Sequence, residues 1–111
     1  MENSPQKGKY RWIVFKKGSD WLAAALEFNI VQVGDDPNLV YLELQEAVRG
    51  YLEAVQKVKG FREKAIIPAL NQTSDEEYET LWNEAQSATQ ESNHSLPKNV
   101  FNFGTRNLAV V

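Results

Sequence analysis

The sequence predicts an α+β fold: a three-stranded antiparallel sheet with a long packed helix, in the order β-β-β-α, followed by a second amphipathic helix and a C-terminal strand. Three observations carry that reading. Two β-rich runs, Tyr10 to Lys16 and Trp21 to Phe28, flank the turn-forming residues Lys17-Gly18-Ser19-Asp20, the pattern of a β-hairpin. Asp36-Pro37 then opens a stretch whose apolar residues recur at helical spacing. Further on, Ser74 and Glu77 form a capping-box pair ahead of a second such stretch, which marks another helix start.

Each element follows from local chemistry. Ile30 to Val33 gives the third strand, ended by Gly34. Asp36 can cap the free amides of the first helix, and Pro37 has the backbone angle and missing N–H suited to its first turn. Counted from Leu39, residues Val40, Leu44, Ala47, Val48, Tyr51, Leu52, Val55 and Val58 fall on one broad face, which is expected to pack on the sheet. Lys57, Lys59 and Gly60 predict the end of that helix near Lys59. Pro68 blocks a long helix through Phe61 to Leu70, which reads as a connector. The second helix, about 75–90, carries Tyr78, Leu81, Trp82, Ala85 and Ala88 on one face. A polar linker, Glu91 to Asn99 with Pro97, leads to a strand over about 100–110 that Gly104 interrupts. Residues 1–9 read as a flexible arm and 10–111 as a single domain.

The first strand is apolar on both sides, with Tyr10, Trp12 and Val14 pointing one way and Ile13 and Phe15 the other. One long helix covers one side. The other must meet Trp82 and its neighbours, the C-terminal strand or a second copy of the chain, and homo-oligomerisation is accordingly an expectation.

Composition narrows the function classes. A chain of 111 residues can bury one substantial core. The absence of cysteine excludes a disulfide framework, a thiolate metal site and a cysteine nucleophile. No stretch approaches the ~20 apolar residues that cross a bilayer, and Met1 to Lys9 lacks the apolar run of a signal peptide, so a cytoplasmic location without membrane attachment is expected. The formal charge of -3 argues against broad attraction to nucleic acid and favours basic partners. The first strand contains no Asp or Glu. Asp20 sits in a turn, Asp35 and Asp36 serve a helix start, and Glu27 stands apart from them. The only histidine, His94, lies in the polar linker. No catalytic residue, metal site or cofactor is therefore expected.

Two sets of residues are candidates for binding. Leu42, Glu43, Glu46, Gly50 and Glu53 lie on the outer side of the first helix. An exposed glycine in mid-helix costs roughly 1 kcal/mol relative to alanine and permits close approach of another backbone. This set predicts an acidic docking face for a basic partner. The alternative is RNA binding through Lys9, Arg11, Trp12 and Arg106, in which aromatic rings beside cations would hold single-stranded bases.

The segments Trp21-Leu-Ala-Ala-Ala-Leu-Glu-Phe-Asn-Ile-Val, Gly34-Asp35-Asp36-Pro37 and Leu44-Gln-Glu-Ala-Val-Arg-Gly-Tyr-Leu52 together resemble the HicB-like antitoxin family over about residues 10–58. The likeness lies in a hairpin, a third strand, a glycine turn and a helix with a Glu-Ala pair, here Glu46-Ala47. The resemblance implies a partly degraded ribonuclease-H-like domain that sequesters a small basic, RNA-cleaving toxin without catalysing a reaction itself. Many members carry a further DNA-reading helix pair; no such pair is visible after residue 58, so direct DNA binding is not expected.

Overall fold

The computed structural model describes residues 3, 8–56, 68–90, 96–97 and 99–108. Four strands, β1 (Lys9–Lys17), β2 (Asp20–Ala25), β3 (Ile30–Gly34) and β4 (Val100–Asn107), form one antiparallel sheet in the order β3-β2-β1-β4. Two long helices, α1 (Pro37–Gln56) and α2 (Glu76–Gln90), pack on its two sides, and residues 68–70, at the end of the expected connector, are helical as well; 61–67 lie outside the described residues.

The sheet has four strands where three were expected. β1 is apolar on both sides and offers two edges; β2 takes one, and the C-terminal segment takes the other, with Tyr10 opposite Arg106 and Trp12 opposite Gly104. Gly104 does not break this strand. The Trp12 ring lies against it, 3.0 Å from where a Cβ would stand, so the absent side chain makes room for the indole.

The hairpin turns at Gly18-Ser19, with Lys17 opposite Asp20. Gly18 has φ +63° and is the only residue of that turn with positive φ, as expected for a two-residue turn with glycine first. The second strand stops at Ala25, earlier than its apolar run suggests, because Leu26–Phe28 wind into a 3-10 turn. Asn29 ends that turn in the left-handed conformation, φ 53°; asparagine tolerates it better than most residues. Its side-chain amide also donates to the Thr73 carbonyl at 2.8 Å, joining the turn to the approach to α2.

Asp36 caps α1 as read from the sequence, its carboxylate accepting from the Asn38 and Leu39 amides. The described part of α1 reaches Gln56; the expected end at Lys57, Val58, Lys59 and Gly60 lies outside the described residues. At α2 the cap is Asp75 instead of Ser74: Asp75 accepts from the Glu77 amide at 2.8 Å, while the Ser74 hydroxyl is engaged by the Glu79 carboxylate.

Two cores result, one on each side of the sheet. Val40, Leu44, Val48, Leu52 and Val55 of α1 bury against Tyr10, Trp12, Val14, Ala23, Ala25 and Phe28. Trp82 and Ala85 of α2 bury with Ile13, Phe15, Ala24, Leu26 and Val100 on the other side. Of the covers considered for that second side, two are found together: Trp82 with its neighbours, and the C-terminal strand through Val100 and Phe103. At the chain start, Asn3 is 2% exposed and donates to the Leu70 carbonyl while accepting from the Lys9 amide. This point of the expected arm is thus fastened to the domain. Residues 109–111, including Val110 of the expected strand, lie outside the described residues.

Candidate partner-binding face

The register that buries one side of α1 fixes what its other side presents. Leu39, Leu42, Glu43, Glu46, Arg49, Gly50 and Glu53 fall within about 120° of the helix circumference, opposite the buried stripe. All seven are exposed, Leu39 by 52% and Leu42 by 58%. The five residues singled out from sequence are therefore on one surface. Leu39 was missed although the same spacing reveals it: it lies about 180° from Val48 and about 60° from Leu42, on the outer face.

The face is acidic and open. It sets three carboxylates, Glu43, Glu46 and Glu53, against one guanidinium, Arg49, and among the described residues none of the four forms an ion pair. A Cβ built at Gly50 would meet nothing within 4 Å. Gly50→Ala is accordingly expected to raise the stability of the isolated chain by about 0.5–1 kcal/mol, since alanine gains helix propensity there without a clash; a denaturant titration reads this directly.

The RNA set has a different disposition. Trp12 is 8% exposed, its ring tilted at 54° against Tyr41 with centroids 4.8 Å apart and Gly104 beside it, so the ring is buried in the core. Arg11 points to the opposite side of the sheet. Its guanidinium bonds Glu27 at 2.6 and 2.9 Å and Glu79 at 2.6 and 2.8 Å, and lies 5.4 Å from the Trp82 ring. Arg106 is exposed on the Tyr10 side, donating to Gln45 Oε1 at 2.7 Å, and Lys9 is exposed on the Arg11 side. The four residues are thus split between two sides of the sheet, and they form no shared stacking platform.

The Arg11 cluster is structural in its geometry. Glu27 also accepts from the Arg11 amide at 2.6 Å, just beyond Trp12, where β1–β2 pairing stops. Its carboxylate so continues the backbone ladder that the 3-10 turn withdraws. The hydrogen bonds from Arg11, then that from Ser74, hold the Glu79 carboxyl below its ordinary value against the opposing effect of burial.

No family model, curated protein or solved structure matches the chain. Among the described residues no group of three or more His, Asp or Glu side chains comes together to hold a metal ion, and no helix is long and apolar enough to cross a membrane. Asp20, Asp35 and Asp36 are exposed at a turn and a helix start, and Glu27 is engaged by Arg11. His94 lies outside the described residues.

Proposed function

We infer that this chain is a non-catalytic binding module that presents the outer face of α1 to a small basic protein, as the resemblance to HicB-like antitoxins implies. The observation that carries the reading is the combination along that face: two leucines more than half exposed near its N-terminal end, followed by three carboxylates with no ion-pair partner among the described residues. Exposed apolar side chains beside unpaired charges suit a protein interface, where the apolar contact supplies affinity and the charges supply approach rate and selectivity. A solvated helix face needs neither leucine.

The chain's own overall charge supports the same partner class, since the formal value of -3 adds a longer-range attraction to the local one. Sequestration of a basic, RNA-cleaving toxin is the form of the activity that the family resemblance suggests. It requires no catalytic group from this chain.

Reversing Glu46 and Glu53 together to lysine tests the face. The double variant is expected to fold normally, because both positions are exposed and unpaired among the described residues, while its affinity for a small basic partner falls by about 10-fold or more through a slower association rate. Unchanged affinity at low ionic strength, where surface charge acts most strongly, would remove this face from the interface.

A further inference from the structure

The side of the sheet that packs α2 is not covered as far as its β3 edge. Val31 and Val33, opposite Ala24 and Leu22, are 36% and 57% exposed. β3 is the outermost strand, and Ile30-Val31-Gln32-Val33-Gly34 contains neither a charge nor a proline. Edge strands generally carry such residues, or a bulge, to prevent pairing with another chain. The opposite edge does carry them: β4 includes Arg106 and a register shift against Val14 and Phe15.

We propose that β3 pairs with β3 of a second copy, antiparallel and centred on Gln32, joining the two sheets into one. The residues of the strand select this occupant. In that register Val31 lies opposite Val33 of the second copy, and Val33 opposite Val31, so each exposed valine meets a valine on the same side. Ile30 falls opposite Gly34, and Asn29 opposite Asp35, so no like charges face each other. Centring on Val31 sets Val33 against Asn29, and centring on Val33 sets Val31 against Asp35; Gln32 alone pairs both valines. The two-fold axis then runs perpendicular to the sheet and keeps both α1 helices on one side. The pairing does not rest on the α1 reading. If both hold, the dimer displays two acidic faces on one surface.

Mass determination in solution over a dilution series tests the proposal on the full chain. Wild type is expected to reach twice the 12.6 kDa chain mass at high concentration, and V31K/V33K to remain monomeric with an unchanged circular dichroism spectrum. Glu46→Lys/Glu53→Lys should still dimerise, which separates this edge from the α1 face. Because the chain has no cysteine, Gln32→Cys supplies a second readout independent of the lysine variant's folding. Directly opposed residues lie about 4.5–5.5 Å apart at Cα, within disulfide reach, so oxidation should give a covalent dimer. A monomer at every concentration, a dimer that survives V31K/V33K, an assembly that grows beyond two chains, or a Gln32→Cys chain that fails to cross-link would each overturn the proposal.

Discussion

Trp82→Ala is expected to destabilise the domain by about 3–5 kcal/mol, the usual range for removing a buried large aromatic side chain. Trp82 is 6% exposed and is the largest side chain that α2 buries in the second core. Its ring meets Phe103 edge-on at 5.8 Å and lies near the Arg11 guanidinium, and its Nε1 donates to the Gly104 carbonyl at 3.2 Å. Alanine there loses the packing, the hydrogen bond and the platform beneath the ion-pair cluster together. Total domain stabilities are typically about 5–15 kcal/mol, so the variant would sit near the edge of folding. Loosening of α2 would uncover Ile13, Phe15 and Ala24, and aggregation on warming is the expected companion result. Guanidinium titration monitored by circular dichroism measures the first effect, and light scattering the second.

Arg11→Ala is expected to cost about 2–3 kcal/mol at neutral pH, because it leaves the half-buried carboxylates of Glu27 and Glu79 facing one another without their shared cation. The pH dependence follows from the direction of the Glu79 shift. Its folded-state value lies below the ordinary 4.5, so the wild-type contribution is complete above that ordinary value and is lost as pH falls through the lowered one. In the variant the depressing cation is gone and burial favours the neutral acid, so protonation relieves it. The stability gap between the two proteins should therefore be widest near pH 7 and close progressively below about pH 5. Denaturant titrations at both ends of that range check the size and the closure; a gap that stays constant would mean that Arg11 acts only through its packing on Trp82.

Features governed by neighbouring residues were legible in the sequence. The hairpin at Gly18-Ser19, the Asp36 cap, the buried stripe of α1 and the Trp82–Ala85 face of α2 each depend on residues a few positions apart. The outer face of α1 was legible for the same reason, being fixed once the inner stripe is known. What escaped depends on distant partners. Arg11 stands between aromatic residues and so resembled an RNA contact, yet its partners Glu27 and Glu79 are 16 and 68 residues away. Gly104 resembled a break because nothing local shows that Trp12 fills its place. The end of β2 at Ala25 was obscured by the continuing apolar run to Phe28; the asparagine after it was the available signal for a turn, through its tolerance of positive φ. At α2 the capping-box spacing pointed to Ser74, but its hydroxyl is drawn to Glu79 and the neighbouring Asp75 caps instead.

Co-expression most directly tests the proposed docking role of the acidic outer face of α1. The chain would be produced together with the small gene product encoded beside it, and the mixture resolved by size exclusion with mass determination. A stable complex with a small basic protein should form with wild type and be lost with Glu46→Lys/Glu53→Lys. Elution of this chain free of that protein, or a complex indifferent to the charge reversal, would contradict that role.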